Sequence, residues 1–376
     1  MNSLSVYIHI PFCDHKCIYC DFYSIIRYDN TSEFFNSLHK EIDHYAQSLS
    51  STHKIKTIFF GGGTPSFVNP TQINSIIEKL KSNFIFEEKV EITLETNPGT
   101  VSSKKINEFI STGINRFSVG IQSFNDEELN FLTRIHDKKT AISTVENIAA
   151  AGIENINVDL IFNLPGQSKE KWESNLLQAA NLPVKHISAY SLILEKGTIL
   201  NKMVMDGNVE MQDENYDADL YEHTIDFMEL SGFNQYEVSN FCKPGYECVH
   251  NLAYWEHKEY LGLGTSSHSF IGKERWWNYS SLKMYIDSVN SKRHAVRSIE
   301  QLTELQLLEE FIMLNLRGRG LNLIELEKKF GTNWQNNNSN YLKTLVSEGF
   351  ITYNNNFIKF TKQGYTLCDE ILIKFI

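Results

Sequence analysis

The chain has 376 residues, a length that favours two or three domains. Hydrophobic residues make up 41% of it and charged residues 22%, a composition that is ordinary for a folded protein and excludes disordered and fibrous chains. With 35 Lys and Arg against 46 Asp and Glu, the formal net charge is −11, the wrong sign for general binding to nucleic acid or to an anionic membrane.

Residues 5–240 alternate short apolar, β-branched segments with segments of helical periodicity. Strands are predicted at 5–10, 55–60, 90–94, 116–121, 156–162 and 186–194, and helices at 31–48, 71–84, 102–111 and 139–150. Strands joined by helical crossovers form parallel βαβ units, so the pattern predicts an α/β domain with an open sheet or a partial barrel. Folds of this kind bind ligands at the polar loops that follow the strands.

The pattern changes after about residue 240. Residues 241–300 form a loop-rich segment with many aromatic, His and Gly residues, which we expect to pack on the domain formed by residues 1–240. Residues 301–376 are predicted to form a winged-helix-like α+β domain, in which helices precede a strand–turn–strand with its turn at 354–356. This domain holds eight basic and eight acidic residues, so it lacks the positive charge that binding to nucleic acid requires.

The start of the chain, MNSLS, has neither the basic segment nor the cleavage site of an export signal. No stretch approaches the ~18 consecutive apolar residues of a membrane-spanning helix. We therefore expect a cytoplasmic protein, whose six cysteines are reduced rather than paired in disulfides.

Cys13, Cys17 and Cys20 form a C-x3-C-x2-C motif just after the first predicted strand. Three thiolates in eight residues can bind one inorganic group, and a [4Fe–4S] cluster with three Cys ligands keeps one iron open for a small molecule. Structural zinc, with His9 or His15 as a fourth ligand, is the alternative. The spacing alone favours the cluster.

The segment YIHIPFCDHKCIYCDF at residues 7–22 resembles the cluster motif of radical S-adenosylmethionine (SAM) proteins. The resemblance continues in order through GGGTPS at 61–66, LETNPGT at 94–100, GINRFSVGIQSF at 113–124, NVDLIFNLPGQ at 157–167 and HISAYSL at 186–192. It implies a partial (β/α)6 barrel and a [4Fe–4S] cluster whose open iron binds SAM. In this family the reduced cluster cleaves SAM to methionine and a 5′-deoxyadenosyl radical, which abstracts hydrogen from a substrate.

The matched blocks also suit SAM chemically. The glycines after the second strand allow close approach of the backbone, Glu95 suits the cationic part of SAM, and Asp159 suits a ribose hydroxyl. Arg134 can pair with the carboxylate of SAM. The SAM contacts implied by the resemblance are Tyr7, Gly62, Gly63, Thr64, Glu95, Gln122, Arg134 and Asp159. Ser191 and His268 correspond less closely to contacts of the family.

Within this superfamily the chain is most similar to the oxygen-independent coproporphyrinogen oxidase group, which comprises true oxidases and HemW-type heme chaperones. True oxidases carry a further Cys where this chain has Phe22, and an N-terminal extension, whereas Cys13 lies near the first residue here. HNLAYW at 250–255 matches the HNxxYW motif that HemW-type proteins associate with heme. The resemblance implies heme contacts by His250, Tyr254 and Trp255, with the imidazole as an axial ligand.

The resemblance therefore implies a protein that holds a cluster, binds SAM and heme, and passes heme to apo-hemoproteins such as respiratory-chain enzymes. A homodimer and weak peripheral contact with a membrane are compatible with the family, although no sequence feature encodes either. Two alternatives stay open, namely a coproporphyrinogen III oxidase and a radical SAM enzyme acting on another substrate. Cys242 and Cys248 could also reach a heme iron, but ordinary buried thiols are the simpler interpretation.

Overall fold

A computed structural model describes residues 1–26 and 31–375 of the chain. The strands are β1 Asn2–Ile10, β2 His53–Gly62, β3 Ile85–Thr96, β4 Arg116–Gln122, β5 Ile156–Phe162, β6 His186–Ser191, β7 Asn234–Gln235, β8 Asn240–Cys242, β9 Tyr260–Gly264, β10 His268–Ile271, β11 Glu274–Asn278, β12 Val296–Gln301, β13 Leu321–Asn322, β14 Ile351–Asn354 and β15 Phe357–Phe360. The α-helices are α1 Thr31–Leu49, α2 Pro70–Asn83, α3 Ser103–Ser111, α4 Asp126–Phe131, α5 Lys138–Ala150, α6 Lys169–Ala180, α7 Ile199–Met205, α8 Glu214–Leu230, α9 Val249–Trp255, α10 Leu282–Lys292, α11 Glu304–Arg317, α12 Leu323–Phe330, α13 Trp334–Asn337, α14 Ser339–Ser347, α15 Lys362–Thr366 and α16 Cys368–Ile373. Within these described ranges, no helix is long and apolar enough to cross a bilayer.

Strands β1 to β6 are parallel neighbours in chain order, with at least one helix in each connection. Side chains from β1, β3, β5 and β6 line one common cavity. Neighbouring strands lie ~4.8 Å apart, so a flat sheet would separate β1 from β6 by about 24 Å. The six strands must therefore curve around the cavity, which confirms the predicted partial barrel.

The strands of the barrel have an apolar outer face and a polar inner face. Alternate residues of a strand point to opposite faces, and on β4 the outward set is fully buried in the main hydrophobic core, whereas the inward set lines the cavity. The two sets are Phe117, Val119 and Ile121 on the outside, and Arg116, Ser118, Gly120 and Gln122 on the inside. Parallel strands are usually apolar on both faces, so the polar inner face indicates a ligand site.

The segment after residue 240 is not the loop-rich stretch that its composition predicts. It contains α9, and its strand β9 pairs in parallel with β1, while β10 to β12 extend the same sheet in antiparallel fashion. A Cβ atom on Gly262 would lie 2.1 Å from the carbonyl oxygen of His268. Gly262 is thus required where two neighbouring backbone segments approach closely, and it does not mark a loop.

The C-terminal region has a hydrophobic core of its own, which draws its buried residues from Phe311 to Phe375. Helices α11 to α14 precede the hairpin of β14 and β15, and β13 completes a three-stranded antiparallel sheet. Asn355 and Asn356 have positive φ angles of 49° and 63°, as a two-residue type I′ turn requires. The predicted helices followed by a hairpin are therefore present.

Candidate functional site

A cavity of about 650 Å³ runs from the carboxyl ends of the parallel strands into the barrel. Residues that follow β2, β3 and β6 form its rim, and inward side chains of the strands form its deeper walls. The predicted site residues that line it are Tyr7, Cys13, Cys17, Cys20, Gly62, Gly63, Thr64, Glu95, Gln122, Arg134, Asp159, His250 and Tyr254. The structure therefore brings together motifs that are spread over 250 residues of the chain.

The three motif cysteines lie on the loop after β1, which is attached to the end of β2. The backbone N–H of Thr64 donates to the carbonyl of Phe12 over 2.8 Å, and Cys13 Sγ lies 3.2 Å from Thr64 Oγ1. The N–H of Cys20 donates to the carbonyl of Cys17 over 3.2 Å, which closes a tight turn. This arrangement directs all three thiols to the cavity.

The donors present fit a three-thiolate cluster site. His9, one of the two alternative zinc ligands, has both ring nitrogens engaged, with Nε2 2.8 Å from the carbonyl of Tyr23 and Nδ1 3.2 Å from the hydroxyl of Tyr7. In the described part of the chain, no group of three His, Cys, Asp or Glu side chains has the arrangement that would bind a single metal ion. A [4Fe–4S] cluster instead takes its cysteines on separate irons.

Gly62 and Gly63 are glycines because neighbouring groups leave no room for a side chain. Gly62 has a φ of +111°, and a Cβ there would lie 2.8 Å from the ring of His9. A Cβ on Gly63 would lie 2.6 Å from the carbonyl oxygen of Phe12. The N–H of Gly62 donates to Glu95 Oε2 over 3.2 Å, so this turn also orients a carboxylate toward the cavity.

Glu95 and Asp159 bring two carboxyl groups to the cavity from β3 and β5. Asp159 accepts hydrogen bonds from Ser118 Oγ at 3.2 Å and from Asn157 Nδ2 at 2.7 Å. Burial and the nearby charge of Asp159 together raise the pKa of Glu95 to about 8, against the opposing effects of the Gly62 hydrogen bond and of Arg116. Burial also raises the pKa of Asp159. A cationic ligand would stabilise both ionised carboxylates, so the pair suits the sulfonium and ammonium groups of SAM.

Arg134 lies beside the cysteine motif. Its Nη2 donates to Asn97 Oδ1 over 2.8 Å and to the carbonyl of Gly120 over 2.6 Å, and its Nη1 lies 3.6 Å from Cys17 Sγ. Gln122 ends β4 with a φ of 73°, where the pairing with β5 shifts register. The guanidinium is thus held next to the predicted cluster, where the resemblance implies the carboxylate of SAM.

His250 belongs to α9 and lines the deeper part of the cavity. Its backbone N–H donates to Glu91 Oε1 over 3.0 Å, which attaches the start of α9 to β3. Its Nδ1 lies 2.8 Å from Thr57 Oγ1 and its Nε2 3.0 Å from the hydroxyl of Tyr254. Burial, together with the charge of Arg116, lowers the pKa of His250 to about 3. The imidazole is therefore neutral, the form that binds metals.

Four residues considered in the sequence analysis lie away from the cavity walls. Trp255 packs against the end of α11. A Cβ atom added to Gly318, the residue after this helix, would lie 2.8 Å from the Cβ of Trp255. His268 is exposed on β10. Cys242 and Cys248 are buried thiols, 2% and 0% exposed, respectively.

Several residues that line the cavity were not singled out from the sequence. They are polar side chains from the strands and the loop after β3, namely Asn97, Arg116, Ser118, Asn157, Ser188 and Tyr190. Ser191 also lines the cavity, and its Oγ donates to Asp217 Oδ1 over 2.7 Å. Polar residues at every second position of RFSVGIQ, between two helices, are a sequence signal that could have identified the inner face of β4.

Comparisons with known proteins agree with this architecture. Residues 7–178 match the Radical SAM superfamily and residues 302–367 match the HemN C-terminal domain. Heme chaperone HemW from Bacillus subtilis is 34% identical over 379 aligned positions, which cover 99% of each chain. Heme chaperone HemW from Lactococcus lactis is 32% identical over 374 positions, which cover 99% of this chain and 97% of the relative. The structure of coproporphyrinogen III oxidase (HemN) from Escherichia coli, a radical SAM enzyme, aligns with a TM-score of 0.84 at 24% identity and covers 100% of this chain and 90% of that one.

These matches define the class first, because a radical SAM domain followed by a HemN C-terminal domain accounts for both the barrel and the small antiparallel sheet. Within that class the chain belongs to the HemW heme chaperone family. Membership of the superfamily implies a [4Fe–4S] cluster and SAM as cofactors. The likeness to the oxidase structure concerns the fold alone.

Proposed function

We propose that this protein is a cytoplasmic heme chaperone that holds a [4Fe–4S] cluster, binds SAM and heme, and delivers heme to apo-hemoproteins such as respiratory-chain enzymes. One observation carries the proposal. The cavity lined by Cys13, Cys17 and Cys20 is also lined by His250 of the HNxxYW motif. Relatives that cover nearly the whole chain have the name heme chaperone, which supports the same conclusion.

The residues at the rim of the cavity would hold the cofactors. The three cysteines would bind the cluster, and Arg134 would hold the carboxylate of SAM beside it. Glu95 would face the positive charge of SAM, and Asp159 a ribose hydroxyl. When bound, the cluster supplies the electron-transfer chemistry of the superfamily. Gly62 and Gly63 let His9 and the cysteine loop pack closely on the end of β2, which holds this part of the rim in place.

His250 would bind the heme iron through Nε2. This nitrogen lies 3.0 Å from the hydroxyl of Tyr254, so it must leave that partner before it can bind a metal. The hydroxyl of Thr57, 2.8 Å from Nδ1, would keep the ring oriented during the exchange. A hydrogen bond to the remote nitrogen is the usual way in which proteins orient a metal-binding imidazole.

An anaerobic heme titration of the cluster-loaded protein, followed in the Soret region, tests this proposal. We expect saturable binding by the wild type, weaker or spectrally altered binding by His250→Ala, and no change in the control His44→Ala, which alters a half-buried residue of α1. Tyr254→Phe removes the hydroxyl that competes for Nε2, so it should bind heme at least as tightly as the wild type. Absence of saturable binding by the wild type would refute the heme chaperone function.

Two further measurements separate chaperone from oxidase. Heme-loaded wild-type protein should transfer its heme to the apoprotein of a respiratory cytochrome faster than the same amount of heme-loaded His250→Ala protein. Anaerobic incubation with coproporphyrinogen III, SAM and a reductant should give no protoporphyrinogen, since Phe22 stands where true oxidases carry a further Cys. Formation of that product would identify an oxidase instead.

A further inference from the structure

Arg116, the first residue of β4, is a buried cation with unused donors. It is only 1% exposed, yet it contributes to the wall of the cavity. Its Nε has no hydrogen-bond partner. Among the described residues, the arginines that form ion pairs are Arg275, Arg317 and Arg319, and Arg116 is not one of them.

A buried charge without a partner is strongly destabilising, so its presence calls for a reason. The carboxylates whose charges act on Arg116 include those of Glu91 and Asp159. Glu91 accepts from the backbone of His250 at the start of α9, and Asp159 accepts from Ser118 and Asn157. Both carboxylates are therefore committed to other donors. The guanidinium of Arg116 keeps its own donors for a group that enters the cavity.

Arg116 lies at the His250 end of the cavity, away from the cluster motif. It pairs in register with Thr93 of β3, which pairs with Phe59 of β2, and the ring of Phe59 lies 5.0 Å from the ring of His250. Along β4 it precedes Gln122 by six positions, which corresponds to about 20 Å at ~3.3 Å per residue.

The other arginine of the cavity wall occupies a different position. Arg134 has its donors bound to Asn97 and Gly120 and lies 3.6 Å from the thiol of Cys17. The cavity thus has one cation at each end. The Nε of each lacks a hydrogen-bond partner, but Arg134 Nη2 already donates to two acceptors, whereas Arg116 donates to no acceptor among the described residues. A planar guanidinium fork matches a carboxylate, to which it can donate two parallel hydrogen bonds.

We propose that Arg116 binds a carboxylate of the ligand that occupies the His250 end of the cavity. The inference rests on the proposed function, because the two ligands of that function, heme and SAM, both carry carboxylates. Heme carries two propionates and SAM carries one α-carboxylate. Since Arg134 already serves the cluster end, a heme propionate is the source that the arrangement favours.

The test measures carboxylate selectivity in the full-length, cluster-loaded protein under anaerobic conditions. Dissociation constants are measured for heme and heme dimethyl ester by Soret titration, and for SAM and decarboxylated SAM by equilibrium dialysis. The proteins compared are the wild type, Arg116→Gln, Arg116→Lys and the control Arg297→Gln, which alters an exposed arginine of β12. Circular dichroism checks that each variant is folded.

We expect the wild type to prefer heme over its diester by on the order of tenfold to a hundredfold, as a hydrogen bond to a charged group implies. Arg116→Gln should lose most of this preference, Arg116→Lys should keep part of it, and Arg297→Gln should keep all of it. A loss of the preference for SAM over decarboxylated SAM in Arg116→Gln would also support the carboxylate site and would identify SAM as its occupant.

The proposal is overturned if Arg116→Gln leaves both preferences unchanged, or if the wild type discriminates in neither ligand pair. The comparison of heme with its dimethyl ester uses only wild-type protein, so equal affinity for the two would overturn the propionate assignment even if the variants do not fold. Failure of the wild type to bind heme at all would refute the chaperone function separately, and the SAM pair would then decide the role of Arg116 alone.

Discussion

The protonation of Glu95 makes SAM binding dependent on pH. Burial and the charge of Asp159 raise the pKa of Glu95 to about 8, so at pH 7 about one molecule in ten has this carboxylate ionised. A cationic ligand binds the ionised form, and the free protein must first release a proton. We therefore expect the affinity for SAM to be about tenfold lower at pH 7 than its limit above pH 8, and to fall by up to about tenfold for each further pH unit.

Equilibrium dialysis with labelled SAM at pH 6, 7, 8 and 9 measures this effect on cluster-loaded, unreduced protein. Glu95→Gln should bind SAM weakly and should lose the part of the pH dependence that the carboxylate contributes. The control Glu108→Gln alters an exposed residue of α3 and should follow the wild type. Titration of SAM itself affects all three proteins alike, so parallel profiles for the wild type and Glu95→Gln would refute the argument.

Three other predictions concern the cluster and the fold. Cys17→Ala should abolish the brown cluster absorbance and the bound iron, which Cys368→Ala, far along the chain, should retain. Gly63→Ala places a Cβ 2.6 Å from a backbone carbonyl of the cysteine loop and should lower the iron content. The control Gly197→Ala alters a residue with a φ of +88° and nothing within 4 Å. It should lower the free energy of unfolding by ~1 kcal/mol and leave the iron content unchanged. Burial raises the pKa of Glu237 to about 7, so its neutral form stabilises the native state at low pH and that contribution is lost as pH rises through 7. The free energy of unfolding of the wild type relative to Glu237→Gln should therefore fall by about 2.5 kcal/mol between pH 5 and 8 in urea titrations, and a constant difference would contradict the burial argument.

The sequence predicts the barrel well because its strands are short, apolar on one face and separated by helices. The strand predicted at 156–162 is β5 to the residue, and the predicted helices coincide with α1, α2, α3 and α5 to within one or two residues at each end. Helix α8 is not predicted because acidic and aromatic residues interrupt its buried positions, which are Leu220, Thr224, Ile225 and Met228. The strands after residue 240 are not predicted either, because the glycines within them permit close packing of the backbone and do not form turns.

The candidate site is predictable where its residues belong to recognisable motifs, and not along the inner face of β4, for a reason that lies in the topology. Residues at the rim occupy motifs with recognisable spacing, whereas Arg116 has no local signal beyond its alternation with outward apolar residues. Its partners in the cavity come from pairings between distant segments, such as β9 with β1. Alternation with a period of two residues identifies which side chains face the interior of the barrel. It does not fix the register of the strand, and so does not show how deep in the cavity each side chain lies.

The position of the HNxxYW motif changes what heme binding requires. From the sequence, the motif suggests a histidine ready to bind iron, with two aromatic rings covering a porphyrin. In the structure His250 is 1% exposed, both of its ring nitrogens have partners, and Trp255 packs on α11 instead. Binding of iron by this imidazole must therefore break its hydrogen bond to Tyr254. For the proposed function, the hydroxyl of Tyr254 is therefore the group whose removal should favour the heme-bound state.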